Sequence, residues 1–440
     1  MLSKADSIMK KTAGQKSVPQ LRFPGFDGEW SLKKLGDEGK FLSSLMGKKG
    51  DDFGVGGAKF ITYMNVFANT FVNSSDLRAV RVDEGESQNP VKKGDLLFTI
   101  SSETPEDAGM SSVLLDDVAN CYVNSFCAIF RFDEGRSPDP IFTGYFLRRP
   151  AGRAYFSAKA QGSTRFNLSK AAFQSVPLLV PRVGEQKKIA DCLSSLDACI
   201  STECCKLESL KVHKQGMMYQ LFPAEGQRLP SLRFPEFQGA PDWGVRPLGE
   251  LVDLLSGYPF DGSEIVVDNT GERLMRGINI TEGAIRHNDE IDRYYQGAIG
   301  RLEKYRLDHG DLVIGMDGSK VGKNSALITK NDAGALLVQR VARLRATSLA
   351  KINFIFHQIH APRFHAYVDR INTSSGIPHV SARQIKEYPI HSTGEPEERR
   401  IADCLSSLDA QIAAQSKKIA ALKMHKQGLM QGLFPELQAP

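Results

Sequence analysis

The sequence predicts an α+β protein of mixed α/β character, with two globular bodies separated by an antiparallel coiled coil of two long helices and related by internal pseudo-two-fold symmetry. Three observations lead there. Ile189 to Ala198 returns letter for letter as Ile401 to Ala410, 212 positions later. Apolar residues around that repeat follow a heptad seam. The stretches between the repeats alternate short β-rich runs with turns and helical runs.

Taken in order, residues 1–20 carry four lysines (Lys4, Lys10, Lys11 and Lys16) against one acid and read as a disordered N-terminal arm. An entry motif follows, Leu21-Arg-Phe-Pro-Gly-Phe26 with Trp30, and it returns as Leu232-Arg-Phe-Pro-Glu-Phe237 with Trp243. The first body spans 21–184, the first spacer helix 185–222, the second body 223–396, the second helix 397–434 and a tail 435–440. Glu185 to Pro223 matches Glu397 to Pro435 at 23 of 39 positions without a gap, and both copies close on Leu-Phe-Pro. The bodies keep only islands of likeness, such as Gly94-Asp-Leu-Leu97 beside Gly310-Asp-Leu-Val313.

Within the bodies, Phe60 to Met64, Asp95 to Ile100, Cys121 to Phe132 and Ser175 to Val180 read as strands, and so do Leu312 to Gly315, Leu336 to Leu344 and Tyr388 to Ile390. Helical stretches lie near Ile141 to Ala160 and Lys351 to Arg370. In the first spacer helix the seam runs Ile189, Leu193, Leu196, Ile200, Leu207, Leu210, Met217, Leu221; in the second it runs Ile401, Leu405, Leu408, Ile412, Ile419, Leu422, Leu429, Leu433. Polar residues fill the skipped slots: Glu203 and Lys214 in one helix, Gln415 and Lys426 in the other. Such residues cost stability and either fix register or meet another partner, so these four are the candidate partner-docking positions. A helix of about 33 residues holds its ends roughly 50 Å apart, on the order of 15 base pairs of duplex. A ruler between two short sites and a two-lobed scaffold that docks proteins fit that geometry equally.

Composition narrows the class. The 440 residues are 41% hydrophobic and 24% charged, as in a soluble globular protein of two or three domains. No run reaches the roughly 18 apolar residues of a membrane span and the first 20 residues lack a signal-peptide core, so a cytoplasmic location is expected. The seven cysteines have no ligand-like spacing with histidines and read as reduced small hydrophobes. Net charge is +5, but the arm and the second helix account for all of it, so any DNA face on a body is a local patch.

Catalytic motifs are missing. Asp317-Gly-Ser-Lys-Val-Gly-Lys-Asn324 has Asp where a phosphate loop needs its first Gly and Asn where it needs Ser or Thr. Asn89-Pro90 continues as Val-Lys, unlike an adenine methyltransferase motif, and no His/Asp/Glu cluster has metal or nuclease spacing. The chain is expected to be non-catalytic, with no metal site. What the bodies do contain is loops rich in hydrogen-bonding side chains. In the first these are Lys48, Lys49, Lys59, Asn65, Ser101, Ser102 and the loop with Ser163, Thr164, Arg165 and Asn167; in the second, Arg276, Asn279, Ser319, Lys320, Lys323, Asn324 and Ser374 to Arg383, with His379, Ser381 and Arg383. Arg and Lys pair with guanine edges, Asn with adenine, and Ser or Thr with phosphate, which makes these the candidate DNA-binding residues.

The whole pattern resembles one family, the DNA-specificity subunit of type I restriction-modification systems. The likeness runs from Leu21 to Pro435 and rests on the order of its duplicated parts: the Gly-Asp-Leu strand starts, the Gly162-Ser-Thr-Arg-Phe-Asn-Leu-Ser169 loop, Glu-Gln-Lys-Lys-Ile189 beside Glu-Glu-Arg-Arg-Ile401, and the Lys-Gln-Gly helix ends. The resemblance implies two target-recognition domains, each reading one half of a bipartite double-stranded DNA site, with the helices setting the gap. It implies as partners two methyltransferase subunits that use S-adenosylmethionine to methylate adenine N6, and restriction (motor-nuclease) subunits that use ATP and Mg. No cofactor would then sit in this chain. The alternative is a non-catalytic two-lobed scaffold that does not read DNA itself. Inserting four residues, about one turn, into the first helix is expected to change the gap between half-sites.

Overall fold

The computed structural model describes residues 18–135, 138–372 and 378–435. Most of the arm, the Ser374 to Ile377 part of the second body's loop and residues 436–440 of the tail lie outside the described residues. The chain divides into two compact units, residues up to Glu203 together with those from Lys418 onward, and Cys204–Lys417.

The first body closes on itself where Ser31–Lys34 pairs antiparallel with Pro177–Val180. Its main sheet is antiparallel, in the order Gly39–Leu42, Cys127–Phe132, Leu96–Thr99, Ser111–Val113. The central strand Leu96–Thr99 is buried at every residue, which is why it reads as a continuous apolar run. A second sheet sets Phe53–Ile61 between Leu77–Val80 and, in parallel, Cys121–Val123. Helices α1 (Tyr63–Ala68), α2 (Pro140–Arg148), α3 (Pro150–Lys159) and α4 (Lys170–Gln174) precede the first long helix, α5 (Val183–Leu221).

The second body repeats this plan. Gly244–Pro247 pairs with Pro389–Ser392, and the main sheet runs Asp253–Ser256, Val341–Arg345, Leu312–Gly315, Ser325–Leu327, again antiparallel. Helices α6 (Leu349–Ile359), α7 (Pro362–Ile371) and α8 (Ala382–Glu387) lead to the second long helix, α9 (Glu395–Leu433).

Several boundaries differ from the sequence expectation, each for a local reason. The run Phe60 to Met64 is a strand only to Ile61, because the Thr62 hydroxyl caps α1 by accepting from the Asn65 N–H at 3.2 Å. Cys121 to Phe132 breaks where the Asn124 carboxamide accepts from the Phe126 N–H at 2.9 Å and turns the chain. Leu336 to Leu344 breaks at a turn in which Arg340 takes a positive φ of 68°. Each long helical stretch splits in two at a proline, Pro150 and Pro362, which opens a new helix instead of continuing the old one.

The long helices run antiparallel within each unit. In the first, Asp197 of α5 bonds Lys426 of α9 at 2.6 Å and Glu203 bonds Lys418 at 2.6 Å, so advancing along one helix retreats along the other. In the second, Lys214 bonds Asp409 at 2.5 Å, and Leu221 and Met217 pack with Ile401, Leu405 and Leu408. Lys214 and Asp409 stand 212 positions from Lys426 and Asp197, so one ion pair is built twice with its two ends exchanged between the helices.

The entry motif gains a role here. Arg22 binds both oxygens of Glu185 at 2.8 Å, while the Leu21 N–H donates to the Gly432 carbonyl at 2.8 Å. Arg233 binds Glu397 at 2.7 Å through both nitrogens, and the Leu232 N–H donates to Gln220 at 2.9 Å. In each unit the motif therefore staples the start of one long helix to the end of the other. The Leu-Phe-Pro endings complete the cores on the same principle. Phe434, 2% exposed, packs on Trp30 (6.3 Å between centroids), Phe142 (5.5 Å) and Phe146 (5.8 Å) of the first body. Phe222 meets Trp243 (6.4 Å) and Phe354 (5.5 Å) of the second.

Candidate nucleic-acid interface

Both bodies present the same small construction beside the buried Gly-Asp-Leu strand. In the first, the chain leaves Leu96–Thr99 and forms a two-residue ribbon, Ser101 pairing with Asn167 and Ser102 with Phe166. Gln161 and Asn167 exchange N–H···O bonds of 3.0 and 2.8 Å, closing a hairpin whose tip is Ser163, Thr164 and Arg165, all exposed. Gly162 is required, since a Cβ there would stand 1.9 Å from the Arg165 carbonyl oxygen. Ser169 then caps α4, accepting from the Ala172 N–H at 3.2 Å. In the second body Asp317 bridges His379, the Gly318 N–H donates to Pro378 at 3.0 Å, and Ser381 caps α8 in a capping box with Gln384.

The candidates divide on this frame. Ser101, Ser102, Arg165 and Asn167 come together at the first ribbon, and Ser319, Lys320 and His379 at or beside the second. Lys320 bonds Glu282 at 3.0 Å and holds that carboxyl below its ordinary range. His379 Nδ1 contacts Asp317, which Arg340 also pairs at 2.8 Å. Lys323 reaches Asp369 at 3.4 Å, Asn324 is half-buried, and Arg383 pairs along its own helix with Glu387 at 2.7 Å. Lys59 and Lys49 are exposed on or beside the other sheet of the first body, and Lys48 is tied to Glu86.

Other candidates face inward. Asn65 is 2% exposed: its amide donates to the Asn73 and Asp76 carbonyls at 2.9 and 3.1 Å, and its oxygen accepts from the Asn73 N–H. Asn279 is fully buried and donates to Asp292 at 2.9 Å and the Arg286 carbonyl at 3.2 Å, while the Arg276 guanidinium reaches the Ile291 carbonyl at 3.2 Å. These amides are spent on holding loops, because a buried amide left unpaired costs about 1–3 kcal/mol. Ser101, Ser102 and Ser381 likewise serve the backbone: Ser102 donates to the Thr104 carbonyl, and Ser101 is buried under the hydroxyl of Tyr63, which donates to its carbonyl at 2.8 Å. Among the four seam positions, Lys214, Lys426 and Glu203 bond across the helix pair as described, and Gln415 is 6% exposed. Lys214, Lys426 and Glu203 thus tie the two long helices to each other.

Two concavities have no signature in the sequence. A cavity of about 380 Å³ in the first body is lined by Tyr63, Met64 and Phe67 of α1, by Ser101, Ser102, Glu103 and Asp107, by Phe126, and by Arg165 from the hairpin tip. No sequence pattern marks it, because its walls come from four separated segments. A larger groove of about 950 Å³ in the second unit lies between the end of α5, with Lys211, Lys214, Met218 and Tyr219, and α7, with Arg363 and His365. At its edge Arg363 contacts His391, and burial together with that cation lowers the histidine to about 4. Burial raises Cys121 to about 11 and Cys127 to about 12, which leaves both as inert thiols. Among the described residues no group of three or more His, Cys, Asp or Glu is arranged to hold a metal, and no helix is long and apolar enough to cross a membrane.

Comparison with known proteins agrees with this duplicated plan. The family model for the type I restriction modification DNA specificity domain matches residues 28–212 and again 241–424. The specificity subunit of the type I restriction enzyme MjaVIII of Methanocaldococcus jannaschii is 25% identical over 297 residues, 66% of this chain and 68% of that protein. The specificity subunit of type I enzyme EcoAI of Escherichia coli is 28% identical over 225 residues, 50% of this chain and 36% of that one. In fold, the chain is similar to the crystal structure of a type I restriction-modification S subunit from M. genitalium, with a TM-score of 0.61 at 14% identity over 96% of this chain and 100% of that one.

Proposed function

The chain belongs to the type I restriction modification DNA specificity family, whose specificity subunits are not themselves catalytic, and from that premise we propose how it divides its work. Each body is a target-recognition domain that reads one half of a bipartite site on double-stranded DNA, and α5 and α9 set the gap between the halves and carry two methyltransferase subunits. The observation that carries this reading is a pairing at the matching place in both bodies that is furnished differently: the Ser101–Ser102 ribbon with Arg165 and Asn167 in one, and the single Asp317–His379 bridge with Ser319 and Lys320 beside it in the other. A constant frame with exchanged side chains is what two different base sequences require.

Chemistry belongs to the partners in this reading. The methyltransferase subunits bind S-adenosylmethionine and methylate adenine N6, and restriction subunits use ATP and Mg. The complex works in the cytoplasm, where its DNA lies. The first body's net charge supports a shared grip on the phosphates, since its exposed lysines are offset by acids such as Glu103 and Asp107.

The test is body exchange. The chain is reconstituted with adenine methyltransferase subunits, and methylated sites are mapped before and after residues 244–396 are replaced by the matching body of another member. A change confined to one half of a split sequence is expected. Altered recognition at both halves overturns the division of labour, and a complex that methylates no split sequence returns the chain to a scaffold that does not read DNA.

A further inference from the structure

The cavity beside the first ribbon has a shape that groove reading does not explain. Base edges in a duplex lie at the bottom of a groove, so a protein reads them with protruding parts, helices or ribbons. A concave site admits a base only after it has left the stack. We propose that this cavity receives one unstacked nucleobase bearing an exocyclic amino group, drawn from the half-site that the first body reads. The proposal rests on the reading of the first body as a DNA-recognition domain.

The walls suit a base. Tyr63 and Phe67, one turn apart on α1, stand nearly parallel at 18° with centroids 6.0 Å apart. Phe126 is 54% exposed and Met64 60%, large apolar side chains left in water at the rim. At a nucleic-acid surface such side chains act as wedges that occupy the place of a displaced base, and as platforms on which it stacks.

The polar side selects the kind of base. Carboxylates repel phosphate, so Glu103 and Asp107 weaken non-specific DNA binding, and their favourable partners on DNA are amino and imino N–H donors on bases. Thr104 donates to one Asp107 oxygen at 2.8 Å, which orients the carboxylate. Adenine, cytosine and guanine offer an amino group, whereas thymine offers only its N3–H, flanked by two carbonyl oxygens that a carboxylate repels. Arg165 at the mouth is placed for the phosphate of the same nucleotide.

The site is also rigid. The half-buried Arg153 guanidinium donates to the carbonyls of Gly109 at 2.8 Å and Glu106 at 2.7 Å and contacts that of Ala108, which holds the 103–109 loop from behind. Gly109 takes a φ of +67° and has Leu168 2.7 Å from where a Cβ would sit, so the loop is packed down onto the strand leading to α4. Tyr63 fixes α1 to the ribbon through Ser101. A preformed pocket of this kind binds without an ordering cost.

The experiment uses the complete chain reconstituted with its methyltransferase subunits and duplexes carrying the mapped site. Each base pair of the half-site read by the first body is replaced in turn by a mismatch that keeps the amino-bearing base. Where that base enters the cavity the unpairing cost is already met, and binding tightens by about tenfold or more. Phe126→Ala and Asp107→Asn, the first at an exposed position, abolish that gain. If no position tightens, or if the only gain lies at the methylated adenine and survives in both variants, the proposal is overturned and any extrusion belongs to the methyltransferase. A wild-type complex that methylates no split sequence is a different result: the reading beneath the proposal fails, and the proposal with it.

Discussion

Removing the Phe434 ring perturbs a body that begins some 400 residues earlier in the chain. The ring is 2% exposed and lies between Trp30, Phe142 and Phe146, with the Arg149 guanidinium 5.8 Å from its centroid. Phe434→Ala therefore leaves a cavity lined by three aromatic rings, and such changes cost about 3–5 kcal/mol. Opening free energies at nearby amides fall by the same amount, which is on the order of two to three and a half decades in exchange rate. Hydrogen exchange of the full chain reads this by segment: Pro140–Arg148 and Pro177–Val180 lose protection, while Leu312–Gly315 and Val341–Arg345 keep theirs. Phe222→Ala does the reverse, loosening Leu349–Ile359, at the lower end of the range because Phe222 is only half-buried. Loss of protection confined to the last turn of α9, with Pro140–Arg148 unchanged, refutes the claim that each body's core is completed by the far helix end.

Two further outcomes follow from the seam and from the buried histidines. A double-mutant cycle on Lys214→Met and Asp409→Asn should give a coupling of about 0.5–1 kcal/mol that shrinks with salt, as should the equivalent cycle on Lys426 and Asp197; urea unfolding at low and high salt measures both, and zero coupling in low salt removes the register role. His357 is fully buried, and desolvation first, with Lys214 second, lowers it to about 3. Its folded pKa lies below its unfolded value of about 6.5, so the unfolded chain takes the proton first and stability falls as pH drops from about 6.5 toward 3, by up to about 1.4 kcal/mol per pH unit. His391, also lowered, acts in the same direction. Urea midpoints across that window should decline for the second unit, and His357→Tyr, which installs the residue type of Tyr145, 212 positions earlier in the first body, should flatten the slope; an unchanged slope sinks the assignment.

The scaffold was more legible in the sequence than the site. Heptad spacing and exact repetition identified both long helices to within two residues at each end, because a helix seam is a local, periodic signal. The splits at Pro150 and Pro362 were also written locally, but a general helical propensity on either side masked them. Contacts between remote segments were not legible. Arg22 reaches Glu185 across 163 positions, and nothing in Leu-Arg-Phe-Pro announces a clamp on two helix ends. Residue type misleads at Asn65 of α1 and at Asn279, which have the chemistry of base readers and are used to pin backbone carbonyls. Tyr63, Phe67 and Phe126 carried no pattern at all, and only folding brings them to one cavity.

The twice-built ion pair, Asp197 with Lys426 and Lys214 with Asp409, has an implication for ancestry. An isologous interface is one in which residue i of one copy meets residue j of the other and j meets i. The two helices of this chain obey that rule, as do the two entry motifs and the two Leu-Phe-Pro ends. A chain consisting of one repeat could make every one of these contacts with a second copy of itself, so a homodimer of half-length chains is a complete version of the scaffold. Holding two such repeats in one chain keeps every one of these contacts. It ends the obligation of the two bodies to be identical, and with it the requirement that a recognised sequence be a palindrome.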